Sequence, residues 1–279
     1  MYLCTRLLVL VLLIMWLVRH PRVSGEVSFF IPISEQVLSH IYILLLAVGA
    51  SFIQRTIGFG FGIFIMTALP FLMPSYGEAV TLSGLLALTS SSVAMFKYRK
   101  YVTWKRLVPI LAAFLMVSTA AIFMLKRIEG STMRIVLGLV LILISLYFIF
   151  FKDKIQKMVR PGLKYQIGTG IVSGAMGGLF GMQGPPVVLY LINSEEDKDH
   201  YMGMIQTYAV VSNLIMIASR AYNGYMTIAV GTSYLYSLVG LAIGVLAGSW
   251  AFRRIPNRLF TYIVYAYIGI SGLVILLTA

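Results

Sequence analysis

Glycine and proline interrupt two long apolar stretches, and the residues at these interruptions have the types that could bind a ligand. Residues 58–62 read Gly-Phe-Gly-Phe-Gly, and residues 177–186 read Gly-Gly-Leu-Phe-Gly-Met-Gln-Gly-Pro-Pro. Each glycine inside a helix costs about 1 kcal/mol relative to alanine, and proline removes a backbone donor. We therefore predict that the backbone breaks at 58–62 and at 181–186.

Such breaks predict a binding site for a small anion. Broken backbone at membrane depth is tolerated where protein or a water-filled cavity satisfies it, and the N–H groups exposed at half-helix N-termini attract anions. Close packing of small residues is the alternative, since several of these glycines are four residues apart. We expect both breaks to face one cavity, and the predicted substrate-binding residues there are Gly58, Gly60, Gly62, Gly181, Gln183, Gly184 and Pro185.

Arg55 is the cation nearest to the first break. No acidic residue lies between Ile41 and Tyr76 to pair with it. An arginine inside a membrane usually faces a cavity or a partner, so we predict that Arg55 binds the anion, with snorkelling to the interface as the alternative. Uncharged side chains predicted to line the cavity are Gln54, Gln206 and Asn213. Arg220, at a helix end, is expected to be an interfacial anchor.

The sequence provides no evident catalytic or metal-binding set. The nine acidic residues and the three histidines lie at the ends of apolar runs or in links, and Cys4 is the single cysteine. A hydrolase would need a nucleophile with a base, or a metal with its ligands. The glycine-rich runs also lack the preceding strand of a dinucleotide-binding loop. We predict no catalytic residue, no metal site and no cofactor, and the coupling ion stays open.

Composition identifies the solvent of these segments as lipid. The chain is 59% hydrophobic and 11% charged, with a mean hydropathy of +0.91, whereas soluble domains carry about 25% charged residues. The net charge of +13 lies mainly in short links, as the positive-inside rule expects, and does not indicate nucleic-acid binding. We predict an all-α polytopic protein of the cell membrane, with the basic links 97–106 and 152–164 in the cytoplasm.

The chain reads as two homologous helical repeats. Residues 1–25 are a signal peptide or a signal anchor, 36–151 form the first repeat, 152–164 a cytoplasmic basic linker, and 165–278 the second repeat. The two glycine breaks correspond, and Tyr101-Val-Thr matches Tyr225-Met-Thr. If each broken run crosses once the repeats are parallel, and if each folds back they are inverted. Since run 36–73 would measure about 57 Å as one helix, we favour inversion. Homo-oligomerisation is left open.

The motifs resemble those of a known transporter family. Gly174 to Pro186 resembles the second-half signature of the sulfite exporter TauE/SafE family, also called the TSUP transporters, and Thr56 to Phe61 is similar to its first-half counterpart. The link Tyr98 to Lys105 is similar to the family's basic link. The resemblance extends over about residues 36–278, although Gln183 and Pro185 stand where glycines are common.

This resemblance implies a membrane transporter for small sulfur-containing anions such as sulfite, thiosulfate or organosulfonates. We predict export as its direction. A permease for another small organic or inorganic anion is the alternative. The alternative from another functional class is a membrane-embedded enzyme, or a scaffold for one. Paired catalytic residues inside the spans would favour the enzyme.

Overall fold

A computed structural model describes the chain as a bundle of helices. It describes residues 35–57, 59–125, 127–128, 130–147, 150, 162–195, 197–252, 269–270, 272–273 and 275–277, and among these it contains no strand. The predicted N-terminal signal segment and most of the basic linker 152–164 lie outside the described residues. The helices of the first half are α1 (Glu35–Ile57), α2 (Phe61–Ile65), α3 (Leu69–Leu72), α4 (Tyr76–Tyr98), α5 (Trp104–Leu125) and α6 (Gly130–Leu146). Those of the second half are α7 (Leu163–Phe180), α8 (Gly184–Ser194), α9 (Lys198–Tyr222) and α10 (Ile228–Phe252).

Both predicted backbone breaks are confirmed. The first apolar run ends one helix at Ile57 and begins the next at Phe61, and the second run ends α7 at Phe180 and begins α8 at Gly184. Pro185 lies in the first turn of α8, where its missing N–H costs nothing and its constrained φ favours the helix. The local chemistry of glycine and proline therefore decides where each long run is interrupted.

The described helices have the length and composition of membrane spans. Five of them are long and apolar enough to cross a bilayer, and they lie at Leu38–Arg55, Tyr76–Tyr101, Trp104–Leu125, Asp199–Tyr222 and Ile228–Trp250. Large apolar side chains such as Leu115, Met116 and Leu246 are exposed on the outside of the bundle. Because such a surface is stable only in lipid, the chain is a multi-pass membrane protein.

The first and last long helices described in the chain pack side by side and point in the same direction. Along α1 and α10 the contacts advance together, and they join Gly240 to Leu44, Gly244 to Val48 and Gly248 to Phe52. Glycines 240, 244 and 248 let the two backbones approach closely. A matching pair is formed by α5 and α7, where Gly170 meets Ile110, Gly174 meets Phe114 and Gly178 meets Ser118.

Contacts between α4 and α9 relate these two pairs of helices. The two helices run antiparallel, because Gly77 meets Tyr225 while Gly203 meets Tyr98. In contrast, α9 is parallel to α5, through the pairs Thr103–Met204, Phe114–Tyr208 and Thr119–Ser219. Helix α10 follows α9 after a short loop and therefore runs back antiparallel to α9, which makes it parallel to α4; the two meet at the hydrogen bond between Thr89 and Tyr234. Thus α1, α4 and α10 point one way, and α5, α7 and α9 point the other way.

These directions determine how each broken run is folded. Since α1 and α4 are parallel, the segment with α2 and α3 must carry the chain back between them, and α8 does the same between α7 and α9. The first half thus begins in one direction and the second half in the opposite one. The duplication itself remains a prediction, and these directions are those expected of its inverted form.

The parallel course of α5 and α7 generates a topology prediction. Their N-terminal ends follow the two basic links, so both links should lie on the cytoplasmic side. In a Cys4→Ser background, Lys100→Cys and Lys157→Cys should escape an impermeant thiol reagent in intact cells. Met226→Cys, in the loop at the opposite end of α9, should be labelled. Strong labelling at Lys100→Cys with none at Met226→Cys would reverse the orientation.

Candidate functional site

The two backbone breaks touch each other in the middle of the bundle. A Cβ atom added to Gly62 would lie 2.1 Å from the carbonyl oxygen of Gly181, far inside van der Waals contact. Gly181 ends α7 with a φ of 70°, and Gly60 precedes α2 with a φ of 99°, both in the left-handed region that favours glycine. The glycines therefore allow both the turn at each break and the close approach of the two breaks.

A cavity of about 500 Å³, including its open mouth, lies at this crossing. The lining comes from both breaks and from α1, α4 and α9, and comprises Gln54, Phe59, Gly60, Phe61, Gly62, Ile63, Ala87, Ser91, Gly181, Met182, Gln183, Gly184, Pro185, Ile205, Gln206, Tyr208, Ala209 and Asn213. Both halves of the chain thus contribute to one site.

Hydrogen bonds hold several polar side chains of the wall in place. Gln54 Nε2 donates to Ser91 Oγ at 3.0 Å, which joins α1 to α4. On the other side, Ser173 Oγ donates to the Gln183 carbonyl and is 2.5 Å from the Tyr208 hydroxyl. Because the Gln183 carbonyl is held by Ser173, the peptide that leads into α8 has a defined orientation. The wall therefore presents positioned amides and hydroxyls.

The described lining contains no aspartate, glutamate, lysine, arginine or histidine. Its hydrogen-bonding capacity comes from three glutamines, one asparagine, hydroxyl groups and the backbone around the breaks. Pro185 and Pro186 have no N–H, so Gly184 supplies the first-turn backbone donor at the start of α8. Without a carboxylate to repel it, an anion can be bound there by neutral donors.

The structure brings most of the sequence-predicted site residues to this cavity. Those that line it are Gln54, Gly60, Gly62, Gly181, Gln183, Gly184, Pro185, Gln206 and Asn213. Gly184 lies against Phe59, and a Cβ built at Gly184 would be 3.9 Å from the Phe59 Cβ. Gly58 lies outside the described residues. Whether these groups bind a ligand stays a prediction.

Arg55 is the predicted site residue that the structure places elsewhere. It lies in the last turn of α1 and is half-buried, and its Nε donates to Ser249 Oγ of α10 at 3.0 Å. Its Cβ packs close to Gly248, and Arg55 is not part of the cavity lining. Helix packing directs the Arg55 side chain toward α10, and the local sequence does not reveal that packing.

The structure corrects the interpretation of Arg220 as an interfacial anchor. This side chain is 0% exposed, although the sequence places it in the last turn of α9. Its guanidinium donates to the carbonyl oxygens of Gly177 at 2.9 Å and Gly178 at 3.1 Å, both in α7. The prediction was wrong because α7 and α4 cover this end of α9. Its closeness in sequence to Asn213, on nearly the same helical face, was the signal that could have indicated its position.

A comparison with protein families identifies the chain's relatives. The model of the family described as Sulfite exporter TauE/SafE matches residues 43–275, which include both breaks and every described lining residue of the cavity. The chain belongs to the sulfite exporter TauE/SafE family. No curated protein and no solved structure matches it. The protein is thus a TauE/SafE family membrane transporter.

The stability of the TauE/SafE chain should depend on the contact between its two breaks. Gly62→Ala places a methyl group against the Gly181 carbonyl, and overpacking of this kind costs about 1–3 kcal/mol. We expect a lower thermal unfolding midpoint in detergent. Gly168→Ala is the matched control, because a Cβ there meets nothing within 4 Å and alanine favours the helix. Equal midpoints for Gly62→Ala and wild type would contradict the close contact.

Proposed function

We propose that this TauE/SafE protein exports small sulfur-containing anions, such as sulfite, thiosulfate or organosulfonates, through the cavity where its two glycine breaks meet. The observation that carries the proposal is that both breaks open into one cavity whose described lining has hydrogen-bond donors but no carboxylate. The family's description supports sulfite as cargo and export as direction. Substrate and direction are both accessible to a flux measurement.

The donors around the cavity suit an oxyanion. Gln183 and Gly184 lie on one side, and the backbone of residues 61–63 lies on the other. A sulfur oxyanion carries three or more acceptor oxygens and accepts hydrogen bonds from several directions at once. Neutral donors bind such a group without an ion pair, so the anion can also leave, which transport requires.

The remainder of the lining is apolar and would accommodate a short carbon chain. Phe59, Met182, Pro185 and Ile205 lie next to the polar groups. An organosulfonate combines an anionic head with such a chain, whereas inorganic sulfite uses the polar side alone. This arrangement supports including organosulfonates among the substrates.

We also infer that the two halves are inverted repeats around this site. Tyr101 packs on Gly203 and Tyr225 packs on Gly77, so the matching tyrosines of the two halves make exchanged contacts. The opposite directions of the halves support the same relation. In transporters of this kind, rocking of one repeat against the other exposes a central site alternately to the two sides.

Flux in proteoliposomes tests the proposed substrates. Radiolabelled sulfite or taurine loaded inside should leave vesicles that contain the protein faster than protein-free vesicles. Imposing a pH gradient or removing Na⁺ identifies the coupling ion. Acetate provides the comparison for another small anion. Flux of acetate with none of sulfite, thiosulfate or taurine would replace the proposal with the organic-anion alternative.

Gln183 is the side chain whose removal should affect this flux most directly. Gln183→Met keeps a similar volume and removes the amide donor, so sulfite flux should fall about tenfold, as expected when a bound oxygen loses one hydrogen bond of about 1.4 kcal/mol. Gln166→Met is the matched control, because Gln166 is bonded to Tyr190 outside the cavity. Equal flux for Gln183→Met and Gln166→Met, each normalised to inserted protein, would remove Gln183 from the site.

A further inference from the structure

The described part of the bundle contains a fully buried cation close to the cavity. Arg220 is 0% exposed, and its described hydrogen bonds go to backbone carbonyls of Gly177, Gly178 and Val80. No salt bridge to it is formed among the described residues, and its Nε is buried without a hydrogen-bond partner there. A charge that is desolvated without a carboxylate is costly, and this cost calls for a function.

We propose that Arg220 is a specificity-determining residue that makes the cavity electrostatically selective for anions, and for divalent over monovalent ones, without touching them. The proposal rests on the anion-transport function proposed above. No described lining residue carries a full charge, so Arg220 would supply the positive charge that the lining itself lacks.

The first argument concerns the helix end that faces the cavity. Helix α7 ends at Phe180, beside lining residue Gly181, and a helix C-terminus carries a partial negative charge of about half an elementary charge. That end would repel an anion in the cavity. Arg220 donates to the carbonyls of Gly177 and Gly178 in the last turn of α7, and its full charge exceeds the partial charge it offsets. The net charge at this wall of the cavity is therefore positive.

The second argument concerns distance. Arg220 follows the lining residue Asn213 by seven residues on α9, which places its Cα about 10 Å further along nearly the same face. A Cβ built at Gly84 would lie 3.6 Å from both Arg220 Nη1 and Asn213 Oδ1, so the two side chains flank the same glycine. Arg220 is not among the described lining residues, so its guanidinium lies behind the wall, beside Asn213, where it can act on the anion through its field.

The third argument is that the first half has no cation at the position that corresponds to Arg220. The exchanged contacts pair Tyr225 with Tyr101, an offset of 124 residues, and the same offset relates position 220 to Phe96. Phe96 is 64% exposed on the outside of the bundle. Packing common to both halves therefore does not require a cation at this position. At this offset, Arg220 therefore has no charged counterpart in the first half.

The expected magnitude follows from Coulomb's law for two charges on the order of 10 Å apart. At about 10 Å and an effective dielectric constant of about 20, a unit charge favours a monovalent anion by roughly tenfold. A divalent anion gains twice the free energy, or about a hundredfold. Removing the charge should therefore weaken divalent binding about tenfold more than monovalent binding. A purely structural role would weaken both by the same factor.

Equilibrium binding to purified protein in nanodiscs tests this difference. The probes are thiosulfate, which is divalent near neutral pH, and methanesulfonate, which is monovalent. In Arg220→Gln we expect the ratio of the two dissociation constants to shift about tenfold against thiosulfate. Arg220→Lys retains the charge, so the ratio should stay within about threefold of wild type even if the protein is less stable. Arg134→Gln, whose guanidinium lies over Phe71 away from the cavity, is the control for losing any arginine and should keep the ratio.

The outcomes separate this inference from the function on which it rests. If wild type binds neither anion, the proposed function fails. If wild type binds both and Arg220→Gln keeps the wild-type ratio, the electrostatic role of Arg220 fails while the function stands. Arg220→Met provides a second neutral variant if Arg220→Gln does not fold. If neither variant folds, wild-type protein that binds thiosulfate no more tightly than methanesulfonate overturns the inference, and tighter thiosulfate binding supports it.

Discussion

The structure depends on one constraint, which is that backbone broken inside a bilayer must find its hydrogen-bond partners within the protein. Lipid provides none, so each unsatisfied N–H or C=O costs several kcal/mol there. Each break meets this requirement within its own half: Gly181 N–H donates to Gly177, Phe64 N–H donates to Gly60, and the Ser173 hydroxyl donates to the Gln183 carbonyl. The two breaks also pack against each other, with Gly62 against the carbonyl of Gly181. The same arrangement creates the cavity, because two turns that cross cannot fill all the space between them.

The helices around the breaks are arranged so that each half completes the other. The first long helix of each half packs along the third long helix of the other half, through glycines that admit the facing backbone. Within each half, a short helical segment returns the chain before the next crossing. As a consequence neither half encloses the cavity alone, and a movement of one half against the other would change access to it.

The electrostatics divide between what touches the cavity and what lies behind it. The described wall offers amides, hydroxyls and backbone donors, while the two arginines near the breaks are not among the described lining residues. Arg55 is bonded to Ser249 of α10, and Arg220 is bonded to the last turn of α7. Direct ion pairing would bind an anion tightly and slow its release. A cation held behind a neutral wall attracts the anion and still permits exchange.

The sequence by itself determined the solvent, the helical class, the places where the backbone breaks and most of the residues that line the cavity. These follow from local chemistry, since glycine and proline interrupt a helix whatever surrounds them and polar side chains in apolar runs are few. The tertiary structure decided the directions of the helices and the positions of Arg55 and Arg220. Both arginines lie in the last turn of a helix; from the sequence, Arg55 is predicted to bind the anion, with snorkelling as the alternative, and Arg220 to be an interfacial anchor. They differ because α7 and α4 cover the end of α9 and bury Arg220, whereas Arg55 remains half exposed beside α10, and burial of this kind depends on neighbours distant in sequence.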